Sequence, residues 1–282
     1  QTGKGFSVCI ESKGVKSLCR DISASEFNDS LALVLEDAVE EKFIENKTEI
    51  ESVGIRIVAP ATYFTTHRAV DEEFIDKLNK LKQLAPHHIP SIITEIGRIQ
   101  DNLPKTKLIG ISDSAYHKNT DPSMRSVSIP KEDVDRYDIH KFGYHGISVS
   151  SVVKHLRVRK EGLPNRVIIC HVGSGVSVTA VKDGKSVATS MGFTPASGIM
   201  MSSRMGDLPA DILASLVVRK GLKKQNIFEY LYNEGGFRGV SGVRDLRLVL
   251  DRADKNDLSA QDSLDMFARQ IKNYIAMYAM LM

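Results

Sequence analysis

RVIICHVGSGVSVTAVKDGKSVATS, residues 166–190, contains apolar runs parted by two short breaks. The runs RVIICHVG and GVSVTAVKDGKSVATS read as strands, and Asp183-Gly184 is a strong two-residue hairpin turn. The other break, Gly173-Ser174-Gly175, has glycine at alternate positions. Such a turn brings backbone close to a ligand and leaves N–H groups free to point at it, which would suit a phosphate. Taken alone, it is more simply a tight hairpin.

Working outward from this stretch gives alternating strands and helices. Downstream, residues 191–212 (MGFTPASGIMMSSRMGDLPADI) are crowded with Gly, Ser, Pro and Met and carry one arginine, Arg204. Helices are expected at about 209–220, 224–232 and 259–282. In the last, Leu264, Phe267, Ile271, Tyr274, Ile275 and Tyr278 follow the three-four spacing of an amphipathic helix. Upstream lies a helix at 148–160. Earlier still, residues 6–22 suggest a β-hairpin turning at Ser12-Lys13-Gly14, followed by a helix over 25–45. SVGIRIVAP (52–60) and KLIGISDSA (107–115) read as inner strands, with helices at about 71–84 and 89–101 between them. The fold class is therefore α/β. A first block covers 1–117 and a second 118–282.

Composition narrows the function. Lys and Arg number 38 against 35 Asp and Glu, a net charge of +3, and no basic run forms a nucleic-acid patch. No signal peptide or membrane span is visible, so neither nucleic acid nor membrane is an expected partner. Cys9, Cys19 and Cys170 are sparse and lack metal spacing. They read as reduced thiols of a cytoplasmic protein. The chain starts at Gln1 and ends inside an apolar helical pattern at Met282, which reads as an excerpt of a longer chain or a form lacking parts its relatives have.

Several residues could do chemistry. Arg56 lies in GIRIVAP between two isoleucines, where a cation is costly unless it meets an anion; that anion could be a ligand or, in a structural ion pair, Asp113. Asp113 ends an apolar strand, where α/β proteins bind ligands, and could hold Mg²⁺, orient a nucleophile or cap a turn. His145 in FGYHGIS lies before a helix that Ser148 could cap, placed to touch an anion or to be satisfied by backbone. Of the neighbours His87 and His88 in LAPHHIP, only one can face a given ligand from an extended segment. Met200, Met201, Met205 and Met277 are most simply packing residues.

In the order GIRIVAP, QLAPHHIP, GISDSAYH, FGYHGIS and residues 171–212, the sequence closely resembles the acetate kinases, from about 51 to about 250. The run GKSVATSMGFTP followed by MMSSRMGDL is nearly diagnostic. The resemblance implies two related α/β domains of the acetate and sugar kinase, Hsp70 and actin type around a nucleotide cleft, both incomplete here. It implies phosphoryl transfer from ATP to acetate with Mg²⁺ (or Mn²⁺), and a homodimer.

Carried over by motif, the essential arginines fall on Arg56 and Arg204 and the catalytic aspartate, also the metal residue, on Asp113. His145 contacts the transferring phosphate, with His88 supporting. His171, Gly173, Ser174 and Gly175 match the phosphate loop, with Ser174 replacing the family's asparagine. The acetate methyl pocket falls on Val58, His87, Tyr144 and Pro195. SGVRDLRLVL puts the adenosine-side pair on Asp245 and Arg247. The family's opening Asn-Ala-Gly-Ser-Ser-Ser-Leu-Lys and its Gly-Gly-Ile-Gly-Glu-Asn adenosine loop have no counterpart in the sequence. The expectation is thus an acetate kinase. The alternatives are a kinase for another short acid such as propionate or butyrate, or a non-catalytic relative binding nucleotide, acyl phosphate or a protein.

Overall fold

The computed structural model describes residues 6–10 and 18–282. Strands β1 (Phe6–Ile10) and β2 (Leu18–Ile22) pair antiparallel, with Phe6 opposite Ile22. This is the expected hairpin, and its turn, Ser12-Lys13-Gly14, lies outside the described residues. The register sets Cys9 opposite Cys19, and the two form a disulfide with Cα atoms 4.1 Å apart. This corrects the expectation of three reduced thiols, which holds only for the free, exposed Cys170. Residue spacing alone does not show which positions an antiparallel register makes face each other. A 3₁₀ turn (Glu26–Asp29) leads into helix α1 (Ser30–Glu40). The helix stops short of residue 45 because Lys42 turns left-handed (φ 58°) and the N–H groups of Phe43 and Ile44 return to the Ala38 carbonyl.

The next sheet carries the first half of the site. Strand β3 (Ser52–Ile57) runs parallel to β5 (Lys107–Ser112), and the short β4 (Arg68–Ala69) pairs antiparallel with the other edge of β5. A parallel pair needs a long crossover, which helices α2 (Glu72–Lys80) and α3 (Ile89–Asn102) supply. Their apolar faces, including Phe74, Leu78, Ile89, Ile96 and Ile99, bury against Ile55, Ile57 and Leu108. Gly110 is required at the contact, since a Cβ there would meet the Phe74 ring at 2.6 Å. Register pairs Arg56 with Ile111 and Ile57 with Ser112, so Arg56 and Asp113 emerge at the same strand ends.

The remainder begins with the short helices α4 (Pro122–Arg125) and α5 (Lys131–Tyr137), then α6 (Gly146–Arg157). Strands β6 (Arg166–Val172), β7 (Val176–Lys182) and β8 (Lys185–Thr189) form an antiparallel sheet in that order. Asp183 and Gly184 take positive φ, as the two-residue turn requires. Helices α7 (Ala210–Lys220), α8 (Ile227–Asn233), α9 (Gly236–Ser241), α10 (Leu246–Ala253) and α11 (Leu258–Leu281) follow. Helix α9 opens on Gly-Phe-Arg-Gly, which has poor intrinsic helicity. Its first turn is set instead by Phe237 and Arg238 donating to the carbonyls of Met201 and Ser202 (2.9 and 3.0 Å).

The largest apolar cluster joins β7, α9 and α11 through Val178, Ala180, Phe237, Phe267 and Tyr278. Met191, Ile199, Met200 and Met201 are buried in it, so the first part of the Gly- and Met-rich segment is core. Met277, expected to pack, is exposed. Among the described residues no helix is long and apolar enough to cross a membrane.

Candidate active site

The site begins with a cation that the strand pattern leaves nowhere apolar to go. Arg56 Nη2 donates to Asp113 Oδ2 at 2.8 Å; the Asp113 side chain is 1% exposed and that of Arg56 56%. The backbone N–H of His145 donates to the same Oδ2 at 2.8 Å. Burial pushes the Asp113 carboxyl up, but the Arg56 guanidinium and the His145 N–H outweigh it and leave it below its ordinary range. No hydrogen bond among the described residues reaches Oδ1.

His145 is itself the residue that caps α6, in left-handed conformation (φ 62°), and the next N–H, Gly146, donates to the Asp113 carbonyl at 2.8 Å. Ser148, expected to cap, lies within the first turn, and its hydroxyl is 2.9 Å from His171 Nδ1. The rings of His145 and His171 stack 3.9 Å apart, and His145 Nδ1 lies 2.9 Å from the Ser177 hydroxyl. Burial, and then the neighbouring His171, lowers the pKa of His145 to about 3. Burial, and then Arg204 and Arg56, lowers that of His88 to about 4. Burial lowers that of His171 as well. These imidazoles are therefore neutral near pH 7, suited to hydrogen bonding rather than to holding charge.

Arg204 stands apart. Its loop is fixed by Asp207, whose carboxylate accepts from Gly198 N–H (2.8 Å) and whose N–H returns to the Gly198 carbonyl (2.7 Å). Arg204 Nη1 donates to the Pro195 carbonyl at 3.2 Å, and the guanidinium lies 5.6 Å from the centre of the Tyr232 ring. Among the described residues no carboxylate forms an ion pair with it. Burial lowers its pKa, yet a guanidinium keeps its proton. A half-buried cation without an acid is stable only where an anion or many dipoles serve it.

One cavity of about 480 Å³ gathers these groups. It brings together Arg56, Val58, His88, Asp113, Tyr144, His145, His171, Ser174, Gly175, Pro195 and Arg204 from among the residues expected at a site. Gly175 leaves room for the His145 ring, since a Cβ there would lie 3.0 Å from His145 Nε2.

Four expected residues lie elsewhere. The His87 ring sits 5.2 Å from that of Tyr232, with Nε2 3.7 Å from Glu229, which takes it out of the apolar wall formed by Val58, Tyr144 and Pro195. Helix α3 starts just after His88, and of the two neighbouring histidines only His88 lines the cavity. Gly173, Asp245 and Arg247 line a second cavity of about 650 Å³, which shares Ser174 with the first. There Asp245 caps α10 and pairs with Arg247 Nη2 at 2.6 Å.

Sequence reasoning missed Ser177, Tyr232 and His117. The buried His117 bridges the Ser186 hydroxyl (2.8 Å) and the Tyr144 carbonyl (3.0 Å), and burial lowers its pKa to about 4. Only the position of His117 within GISDSAYH offered a signal.

Among the described residues no three or more His, Cys, Asp or Glu side chains converge as a metal cage. A single carboxylate with one oxygen uncommitted fits Mg²⁺, which keeps waters and takes its other ligands from substrate phosphates.

Comparison with known proteins gives concordant matches. The Acetokinase family profile covers residues 4–282. An acetate kinase from Oceanobacillus iheyensis is 32% identical over 277 residues, covering 96% of this chain and 68% of the relative. A propionate kinase from Citrobacter freundii is 35% identical over 265 residues, 93% of this chain and 65% of the relative. Among solved structures, a propionate kinase from Francisella tularensis superposes with a TM-score of 0.86 at 28% identity, over 99% of this chain and 71% of that one. The acetate kinase of Porphyromonas gingivalis gives 0.80 at 27% identity, over 99% and 71%. The fold is thus the mixed α/β fold of the acetate and sugar kinase, Hsp70 and actin type.

Proposed function

Because this chain belongs to the acetokinase family, we propose that it transfers the terminal phosphoryl group of ATP reversibly to the carboxylate of acetate, giving acetyl phosphate and ADP. The observation that carries this reading is Arg204, a cation with no acid partner among the described residues, facing the same cavity as the Arg56–Asp113 pair. Phosphoryl transfer through a loose transition state spreads negative charge over the equatorial oxygens, and fixed cations stabilise that charge without reorganising.

In the step itself an acetate oxygen forms a bond to the terminal phosphorus. The bond to the β–γ bridging oxygen breaks, and ADP leaves with the electron pair. Acetate is already ionised near pH 7, so no general base is required, which suits imidazoles held neutral. Arg56 binds the acetate carboxylate, Val58, Tyr144 and Pro195 cover its methyl group, and Arg204 with His145 grips the migrating phosphoryl group, with His88 in support. The nucleotide would run from His171 and Gly175 past Ser174 into the second cavity, beside Asp245 and Arg247. Asp113 would hold Mg²⁺ through Oδ1, and the cation when bound would neutralise phosphate charge.

A longer acid is a second reading, favoured by the propionate kinases among the relatives and by the absence of His87 from the methyl wall. We extend the proposal to a division at 1–117 and 118–282, supported by apolar clusters that fall almost wholly on one side or the other. A cytoplasmic homodimer completes it.

The test is trapping of acyl phosphate by hydroxylamine with ATP, Mg²⁺ and acetate or propionate, with Arg204→Ala as control. Acid-dependent product is expected from the wild type, reduced roughly 10³–10⁵-fold in the variant. Wild-type product no greater than the control's would overturn both kinase readings and leave the non-catalytic one.

A further inference from the structure

Tyr232 lies outside every motif considered above, yet it sits at the centre of the Arg204 environment. It belongs to α8, and its side chain is 1% exposed. The Arg204 guanidinium stands over its ring, 5.6 Å from the centre. A ring within about 6 Å of a guanidinium attracts it, more strongly when both are shielded from water. The backbone around Tyr232 holds the same loop. The Ser203 hydroxyl donates to the Tyr232 carbonyl (2.9 Å), and Met205 N–H donates to the Leu231 carbonyl (3.1 Å). These bonds flank Arg204 on both sides in sequence, so α8 and the arginine loop form one unit. The ring also meets those of His87 and His88, with centres 5.2 and 6.3 Å away. The Tyr232 hydroxyl is buried beside the Thr194 side chain and has no hydrogen-bond partner of normal geometry among the described residues.

We infer that Tyr232 is a positioning residue: its ring is the platform that fixes the Arg204 guanidinium toward the cavity in place of a carboxylate. An acidic partner would hold Arg204 as firmly but would neutralise it, and a neutralised arginine grips an incoming phosphate poorly. An aromatic face orients the guanidinium and leaves its charge free for the ligand. The catalytic consequence rests on the phosphoryl-transfer reading, whereas the consequence for anion binding does not.

Three measurements on the whole chain test this, using Tyr232→Phe, which keeps the ring, and Tyr232→Met, which fills similar space without one. In nuclear magnetic resonance the Arg204 Nε–Hε signal, identified by its loss in Arg204→Lys, is expected to show an aromatic ring-current shift in the wild type. The shift should persist in Tyr232→Phe and vanish in Tyr232→Met. Affinity for inorganic phosphate is expected to weaken roughly five- to thirtyfold in Tyr232→Met and to stay within about twofold in Tyr232→Phe. In turnover, kcat should fall by the same factor in Tyr232→Met while KM for acetate holds, since Arg56 binds that substrate.

A wild-type signal without a ring-current shift overturns the inference even if Tyr232→Met fails to fold. So does equal phosphate affinity in all three proteins, or a loss in Tyr232→Phe as large as in Tyr232→Met. A wild type without acid-dependent turnover that keeps the shift and the affinity pattern would remove the kinase reading and leave this one standing.

Discussion

Arg56 and Arg204 face one cavity from opposite kinds of support. Arg56 lies near the end of a regular strand, half open to solvent, and is paired with a carboxylate that is almost wholly buried. Arg204 lies on an irregular loop packed into the core, with a carbonyl and an aromatic ring as neighbours and, among the described residues, no acid. The pairing at Arg56 is needed by the fold, because Asp113 without it would be a buried charge held by one backbone N–H. The isolation of Arg204 does nothing for the fold and is useful only to a ligand. The two cations therefore divide the work, with Arg56 organising the apo site and Arg204 awaiting the anion.

The largest expected difference is catalytic. Arg204→Lys should lose nearly as much turnover as the roughly 10³–10⁵-fold expected for Arg204→Ala, since a point charge lacks the planar fork. A lysine variant retaining a tenth of the wild-type rate would show that charge alone suffices.

The sharpest separation of the two arginines is stability without ligand. Arg56→Ala should cost about 1–2 kcal/mol in urea unfolding at pH 7, a figure kept small because the arginine is half exposed. Arg204→Ala should cost less than Arg56→Ala, because its loss of packing is offset by removing a buried cation that lacks an acid. Inorganic phosphate should then raise the Tm of the wild type and not that of Arg204→Ala. Equal losses in the two variants would break the comparison.

Gly175→Ala should reduce kcat roughly tenfold with the fold intact, because the added methyl presses on the His145 ring. Unchanged kcat would mean that His145 does not need its present place.

The smallest effect is on acid stability. His88, His117 and His145 stay neutral in the fold down to about 4, 4 and 3, while an unfolded chain takes up protons near 6.5. Below about 6.5 the unfolded state binds more protons, so stability declines as pH falls toward 4. His117→Gln should flatten that slope in part, the other lowered histidines supplying the rest, read from urea midpoints at several pH values. An unaltered slope would mean that His117 is not buried as a neutral ring.

Much of this was legible in sequence where chemistry is local. The Asp183-Gly184 turn, the inner strands around 52–57 and 107–112 and the amphipathic last helix follow from turn geometry and periodicity. Arg56 drew notice because a cation between strand isoleucines needs an anion, and Asp113 is that anion. What failed was non-local. Helices α9 and α10 were missed, α9 because bonds to the Arg204 loop impose its first turn on a glycine-rich segment. Cys9 and Cys19 meet only through strand register. His87 matched a pocket position by motif but turned toward Glu229 and Tyr232, since a buried apolar wall is a poor place for an imidazole.

By itself, the sequence determined the α/β class, the motif order that identifies the family, and the residue types able to grip a phosphate. All of these reside in composition, spacing and short-range backbone preference. Tertiary structure alone decided that two neutral imidazoles stack beside the glycine turn and that an aromatic ring stands under Arg204. Those facts depend on which surfaces meet when distant segments pack, and packing is a property of the whole chain's buried shape rather than of any stretch within it.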